Sequence, residues 1–185
     1  MNQLARKRPR HSLRSARAAP EEKPVAYRGL TIQRQRLRAI AQELPPLFQR
    51  HHDELAVDAK RAPLAPDWDQ YFDLDLLGNL QILTVRDGPV LAGYIFNVIG
   101  SHRHKRTTKF ATLDMYWLDP IYRQGLLGVK LFRENERFLK AVGVKKILVE
   151  EKCHFKNEFG RQVSVLFKRL GYTLEARVHG KWIGG

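Results

Sequence analysis

Apolar residues at helical spacing dominate the chain from Leu30 onward. They recur three and four positions apart as far as Ala56, which predicts two helices divided by Pro45 and Pro46. Residues 66–77 predict a third, short helix, because Asp67 can cap it and aromatic residues follow at the same spacing. The first part of the folded chain is therefore expected to be helical.

Runs rich in β-branched and aromatic residues come next. Residues 80–86 and 90–99 flank Asp87-Gly88, a pair typical of tight hairpins, and so predict two antiparallel strands. A basic loop is expected over residues 101–109. A third strand follows over 110–118 and stops at Pro120.

Helical and strand patterns alternate from there to the end. A helix is predicted over 127–142 with Gly143 as its C-cap, then a strand over 144–151 and a helix over 160–170. A closing hairpin is expected to turn at His179-Gly180. This order predicts an α/β (α+β) fold, a mixed β-sheet with helices on both faces.

Composition places these elements in one domain. The chain has 185 residues, of which 43% are hydrophobic and 28% charged, as in ordinary globular proteins. The net charge of +14 is concentrated at the start, where residues 1–28 carry eight Lys and Arg against two Glu. We therefore predict a disordered basic tail over 1–28 and a single folded domain over 29–185.

The tail has three interpretations. It is a solubilising segment, a phosphate-binding arm for a nucleic acid or another partner, or an organellar transit peptide. The transit peptide is the least supported, because only Leu4 and Leu13 offer an apolar face. The candidate partner-binding residues are Arg6, Lys7, Arg8, Arg10, Arg14 and Arg17.

Other protein classes are disfavoured by what the sequence lacks. The longest uncharged run, residues 88–101, is shorter than the ~20 apolar residues that cross a bilayer, so no membrane partner is expected. Cys153 is a lone cysteine and forms neither an internal disulfide nor a Cys-based zinc site. These features fit a cytoplasmic protein.

The segment most informative about chemistry is 116–129. A strand and Pro120 lead into a glycine loop that opens a helix, where unpaired backbone N–H groups and the helix dipole suit a pyrophosphate. Gly125 and Gly128 allow the backbone to approach closely. The dinucleotide-binding pattern Gly-x-Gly-x-x-Gly and the Walker pattern ending in Gly-Lys-Ser/Thr are both absent.

This segment resembles the signature of the GNAT superfamily of acetyl-CoA-dependent N-acetyltransferases. The residues in register are Leu118, Asp119, Pro120, Tyr122, Arg123 and Gly128, with Leu126 in place of the middle glycine. Residues 166–172 are similar to the closing helix and Leu-Gly-Tyr corner of the family. The chain also resembles the variant carried by tailed bacteriophages, in residues 64–68 and in His52, Glu54, His102 and His104.

The resemblance implies a twisted mixed sheet in which strands 110–118 and 144–151 run parallel and splay apart. The pantetheine arm of acetyl-CoA would fill that gap along Tyr116, Trp117 and Leu118. The pyrophosphate would lie on the loop, with Lys130 or Arg133 nearby. The loop residues implied in binding are Arg123, Gln124, Gly125, Leu126, Leu127, Gly128 and Val129.

Acetyl transfer to an amine needs a base, because an amine with a pKa of about 10.4 must lose a proton before it attacks. Asp114 is the first candidate catalytic residue, and its alternative role is a surface ion pair with Lys109 or Arg106. His104 is the second catalytic candidate, and His52, Glu54 and His102 are candidate substrate-binding residues. A histidine is nevertheless more often a surface or core group. His102 and His104 lack a third ligand, so no metal site is predicted.

Two functions remain open. The first is an acetyltransferase, encoded by a phage or a bacterium, that acts on an amine of a small molecule or a protein. The second is a nucleic-acid- or virion-associated binding protein that keeps a degraded site and is anchored by the basic tail. Phe167 favours the second, because it lies where many relatives place a proton-donating Tyr. A phage protein would act in the host cytoplasm or in the virion.

Overall fold

A six-stranded sheet organises the computed structural model, which describes residues 23–56, 59–102, 104–151 and 164–183. Its strands lie side by side in chain order: β1 (Val25–Tyr27), β2 (Leu30–Gln35), β3 (Leu80–Asp87), β4 (Val90–His102), β5 (Lys105–Leu118) and β6 (Lys146–Val149). The helices are α1 (Leu37–Ile40), α2 (Leu44–Leu55), α3 (Trp68–Leu76), α4 (Leu127–Ala141) and α5 (Ser164–Leu170). All neighbouring strands are antiparallel except β5 and β6, which are parallel.

Two hydrophobic clusters place the helices on opposite faces of the sheet. Helices α1, α2 and α3 cover one face, where Phe48 and Trp68 pack with Phe96. Helices α4 and α5 cover the other, where Phe132 and Phe167 pack with Leu113. The mixed sheet with helices on both faces is thus confirmed. No helix in the described ranges is long and apolar enough to cross a membrane.

The start of the domain differs from the prediction. Residues 30–35 form strand β2 rather than a helix, because Leu30 and Ile32 have the two-residue spacing that places side chains on one face of a strand. β1 pairs with β2, so the fold begins before the expected boundary at Arg28. Pro45 and Pro46 lie in the first turn of α2, where a missing N–H costs little, and not between the two helices.

The central hairpins are more regular than expected. β3 and β4 pair as predicted, with Asp87 opposite Val90, so the turn is Gly88-Pro89. The predicted basic loop over 101–109 is wrong, because β4 extends to His102 and pairs there with Lys105 of β5. The backbone groups of that segment therefore complete a long hairpin.

The end of the chain also differs. α5 matches the described part of the predicted helix, but residues 172–183 form no strand, so the closing hairpin is wrong. Leu174 and Val178 alternate with polar residues as a strand would, yet their side chains are 78% and 77% exposed. Alternation of apolar and polar residues predicts a strand, but this segment pairs with no described strand.

Helix α4 is fixed to the sheet by a buried amide network. Asn135 Oδ1 accepts hydrogen bonds from Gln81 Nε2 at 3.2 Å and from Asn97 Nδ2 at 2.7 Å, while Asn135 Nδ2 donates to Asn97 Oδ1 at 3.3 Å. All three side chains are buried. Because buried amides need specific partners, this network fixes α4 relative to β3 and β4.

We expect Asn135→Ala to lower the free energy of unfolding by about 2–3 kcal/mol, because it removes the side-chain partner of the buried Asn97 amide and leaves Gln81 Nε2 only the long bond to the backbone carbonyl of residue 135. Urea unfolding measures the change. Arg133→Ala, at an exposed position of the same helix, is the matched control and should change stability by less than ~0.5 kcal/mol. Equal effects of the two variants would contradict the role of the network.

Candidate functional site

The site begins where β5 parts from β6. Their parallel pairing ends at Leu113 and Val149, whereas β5 continues along β4 to Leu118. Residues 114–118 therefore have one strand edge that pairs with no described strand. Gly93 of β4 keeps the other edge close, since a Cβ there would lie 2.8 Å from Trp117 O.

A β-bulge lies at the same point. Phe96 pairs with Met115 and Asn97 with Leu113, so Asp114 is the extra residue. The bulge turns both Asp114 and Met115 toward the α1–α3 face, where Tyr71 and the surrounding cluster lie. Tyr116 and Leu118 point toward α4 and α5. The two faces of the opening thus carry different side chains.

A cavity of about 710 Å³ occupies the opening. Its walls are α2, the end of β5 and the first turns of α4, with Glu150 after β6 and Trp182 near the C-terminus. The cavity therefore runs from the helices on one face of the sheet, past the unpaired edge of β5, to the helices on the other.

Asp114 lines this cavity and accepts a hydrogen bond from the hydroxyl of Tyr71 at 2.5 Å. Burial and the neighbouring carboxylate raise the pKa of Tyr71 well above its usual value. Tyr71 therefore stays protonated at neutral pH and donates to Asp114. The predicted base lies at the opening, with one oxygen held by a tyrosine.

Glu54 and Arg123 form a two-bond ion pair at the cavity wall. Arg123 Nη2 donates to Glu54 Oε2 at 2.6 Å, Arg123 Nη1 donates to Oε1, and Trp117 Nε1 also donates to Oε2, at 2.9 Å. Arg123 Nε donates to the carbonyl of Leu118 at 2.7 Å. The guanidinium is thus engaged by α2 and β5. We call this ion pair the Glu54–Arg123 clasp. Because Arg123 is held in it, its guanidinium is not free to bind a pyrophosphate.

Two histidines of α2 also line the cavity. His51 Nδ1 lies 3.0 Å from the hydroxyl of the fully buried Tyr94. Burial raises the pKa of Tyr94, so its hydroxyl stays protonated, and the direction of this bond is set by which nitrogen of His51 carries the proton. His52, a predicted substrate contact, has a buried Nδ1 that forms no hydrogen bond in the described part of the chain.

The glycine loop has the geometry of an anion site. Gly125 has φ +71°, a conformation that favours glycine, and α4 starts at Leu127. Leu126 has φ −108° and an exposed side chain, so its Cβ does not fill the loop. A Cβ on Gly128 would meet only Leu166 Cδ2, at 3.9 Å. The first backbone N–H groups of an α-helix have no intrahelical acceptor, and here they lie beside the cavity.

The other predicted loop residues have different positions. Gln124 is exposed, Leu127 is buried in the core, and Val129 is half-buried on α4. Lys130 pairs with Glu134 at 2.9 Å, while Arg133 is exposed. Side-chain charge near the loop comes from α4 and from Arg28, whose Nη1 would lie 3.6 Å from a Cβ on Gly125, while the loop contributes mainly backbone.

His102 and His104 are not brought to the cavity. They lie at the turn between β4 and β5, where the rings are 5.6 Å apart and His102 Nδ1 accepts from the backbone N–H of His104. Nine strand residues, about 30 Å, separate this turn from Asp114. The structure does not support a shared site for His104 and Asp114. No three described His, Cys, Asp or Glu residues form a metal-binding group.

Several predictions lie outside the described residues. They concern Cys153 and the tail residues Arg6, Lys7, Arg8, Arg10, Arg14 and Arg17. The interaction proposed for the tail stays a prediction.

Sequence reasoning missed Tyr71 and Glu150. Glu150 follows the last residue of β6, and side chains at the carboxyl ends of parallel strands meet at one edge of a sheet. That rule could have identified it. Tyr71 had no such signal, because its bond to Asp114 spans 43 residues.

Comparison with known proteins agrees on the fold. No protein-family model matches the chain, and no curated protein matches it significantly in sequence. Solved structures match along most of the length. An aminoglycoside acetyltransferase from an uncultured soil metagenomic sample has a TM-score of 0.65 at 12% identity, over 84% of this chain and 99% of that one.

Two further structures show the same likeness. A GCN5-related N-acetyltransferase from Ralstonia eutropha has a TM-score of 0.61 at 15% identity, over 84% of this chain and all of that one. A predicted acetyltransferase with acetyl-CoA from Clostridium acetobutylicum has a TM-score of 0.58 at 11% identity, over 83% and 96%. These names do not support the narrower likeness to the bacteriophage variant, which stays a prediction. The chain has the mixed α/β fold of the GNAT N-acetyltransferases.

Proposed function

We propose that this protein is an acetyl-CoA-dependent N-acetyltransferase that acts on an amine. The observation that carries the proposal is the edge of β5 over residues 114–118, which pairs with no described strand and opens into the cavity between the two helical layers. Buried backbone groups need hydrogen-bond partners, and an extended amide-bearing arm would supply them. The acetyltransferase neighbours share this fold, which favours the same use of it here.

The donor fits the residues on the α4 side of the opening. Tyr116 and Leu118 border the unpaired edge, and the backbone of residues 125–129 suits a pyrophosphate. When bound, acetyl-CoA supplies the acetyl group as a thioester. Phe167 packs against Tyr116 and Phe132 with ring centroids 6.0 and 5.6 Å apart. It contributes packing but has no proton to donate.

The acceptor enters from the α2–α3 side. Asp114 lies at the bulge, and its hydrogen bond from Tyr71 fixes one carboxylate oxygen. The carboxylate attracts an ammonium group and accepts its proton, directly or through a water molecule. The Glu54–Arg123 clasp holds α2 and Trp117 in place as the acceptor wall.

Titration calorimetry of acetyl-CoA into the full chain tests donor binding. We expect micromolar affinity, weakened at least tenfold by Gly128→Glu, because a carboxylate there repels the pyrophosphate from the helix N-terminus. Gly100→Glu adds the same charge at an open position of β4 and should bind as the unaltered chain does. Absence of binding by a folded protein at millimolar acetyl-CoA would contradict the proposal.

We expect Asp114→Asn to lower kcat by about 10²–10⁴-fold at neutral pH, because the amide cannot accept the proton of the amine. The affinity for acetyl-CoA should stay within twofold, which calorimetry measures alongside CoA release. Tyr71→Phe should keep most of the rate, because it removes only the hydrogen bond that fixes one carboxylate oxygen of Asp114. An Asp114→Asn enzyme as fast as the original would assign the base to another group.

A third expectation concerns Glu54→Gln. Burial raises the pKa of Glu54, but hydrogen bonds from Arg123 and Trp117 and the charge of Arg123 outweigh it, so the folded pKa lies below the ordinary 4.5. The clasp therefore stabilises the fold fully above pH 4.5 and loses this effect as the pH falls through the folded pKa. We expect the variant to be about 1–3 kcal/mol less stable at pH 7, with a smaller difference at pH 3, in urea titrations.

Glu43→Gln is the matched control for the clasp, because Arg86 donates two hydrogen bonds to Glu43 away from the cavity. It should lower stability without changing the KM for the best amine. Glu54→Gln should raise that KM several-fold. Equal KM values in the two variants would show that the clasp has no role in binding the acceptor.

A further inference from the structure

We propose that the acceptor is a primary amine on an apolar stem, which places its ammonium beside Asp114 and Glu150 and its stem along the wall formed by α2 and β5. This inference rests on the proposed function, because it names the acceptor class of the same site. It follows from two observations, the polarity of the wall and the balance of charge in the cavity.

The wall on the acceptor side is apolar and aromatic. The side chains that form it are Phe48, Leu55, Leu64, Met115 and Trp117. Phe48 is stacked on Trp68 with ring centroids 5.5 Å apart, so the surface is held by packing behind it. An apolar stem gains free energy when it leaves water for such a wall.

Most polar atoms of the wall are already paired with one another, and His52 Nδ1, which has no hydrogen-bond partner among the described residues, is buried. Trp117 Nε1 donates to Glu54, and Glu54 is also held by Arg123. The hydroxyl of Tyr94 is engaged by His51. A stem rich in hydroxyl groups would lose its hydrogen bonds to water and find few replacements here.

The charge of the residues that line the cavity is opposite in sign to the net charge of the chain. Three carboxylates line it, on Glu54, Asp114 and Glu150, and among the described lining residues the one guanidinium is that of Arg123. Arg123 neutralises Glu54 in the clasp. Asp114 and Glu150 remain, and both follow the last paired residues of β5 and β6. A protein of net charge +14 therefore carries a negative site at the opening, which suits a cationic head.

Position explains why these two carboxylates can act together. Leu113 pairs with Val149 in the last parallel pair, so Asp114 and Glu150 are the next residues on each strand. One carboxylate on each side of the opening can hold the ammonium between them. The stem then lies on the apolar wall, which Met115 and Trp117 of β5 continue from the bulge.

A series of n-alkylamines tests the inference on the full chain with saturating acetyl-CoA. We expect kcat/KM to rise about fourfold per added methylene from propylamine to hexylamine, as apolar burial requires. Glucosamine has the same single ammonium on a hydroxylated body and should be at least 100-fold poorer than hexylamine. CoA release and mass spectrometry of the product measure the rates for the alkylamines and for glucosamine.

Different variants test the contributions of the apolar stem and of the ammonium head. Leu64→Ser should flatten the dependence on chain length, because it places a hydroxyl in the wall. Glu150→Gln should lower kcat/KM for every amine at least fivefold while keeping that dependence. Asp73→Asn, on the exposed side of α3, removes the same charge away from the cavity and should change neither.

One further substrate tests whether the amine and its stem belong to a protein lysine or to a small molecule. A peptide with a single lysine presents an ammonium on a four-carbon stem, as butylamine does. A kcat/KM well above that of butylamine assigns the stem to a protein lysine, and one at or below it assigns the stem to a small amine.

The outcomes distinguish this inference from the function on which it rests. If acetyl-CoA binds and glucosamine is acetylated as fast as hexylamine, or the rate does not depend on chain length, the inference is wrong and the proposed function stands. If acetyl-CoA does not bind to the folded chain, both fail together.

Discussion

Main-chain hydrogen bonding of β5 is the constraint on which the rest of the site depends. β4 pairs with this strand to its end, but β6 pairs with it only as far as Leu113. The parting of β5 and β6 leaves one edge of residues 114–118 without a partner among the described strands, and the bulge at the same place turns Asp114 toward the α2–α3 face. The end of the β5–β6 pairing thus creates the cavity and its open hydrogen-bonding edge, and the bulge in the β4–β5 pairing sets the position of the candidate base.

The arrangement of charge follows from that geometry. The loop before α4 offers backbone N–H groups on one side of the opening, and carboxylates lie on the other. Arg123 would add positive charge at the cavity wall, but Glu54 neutralises it and both side chains become structural. An anionic donor and a cationic acceptor would therefore meet β5 from opposite faces. The separation explains how a strongly basic chain can present a negative acceptor site.

Local signals decided how much the sequence could predict. The turn after Asp87, the break at Pro120 and the C-cap at Gly143 mark β3, β4, α4 and the end of β5 within a few residues, but β5 begins at Lys105, before its predicted start. β2 was misread because six residues cannot separate a strand period from the helix that follows. The bulge and the clasp were out of reach, because the bulge depends on register with β4 and the clasp joins residues 69 positions apart. Asp114 was found through the resemblance, whereas the tyrosine that holds it was not.

Amide hydrogen exchange along β5, with and without acetyl-CoA, tests the central claim most directly. If the donor completes the open edge, amides of residues 115–118 that point away from β4 should exchange at least tenfold more slowly in its presence, together with those of 125–129. Amides of β2 and β3 should not change. Binding of acetyl-CoA with no added protection along 115–118 would contradict the account, because the donor would then lie away from the opening between β5 and β6.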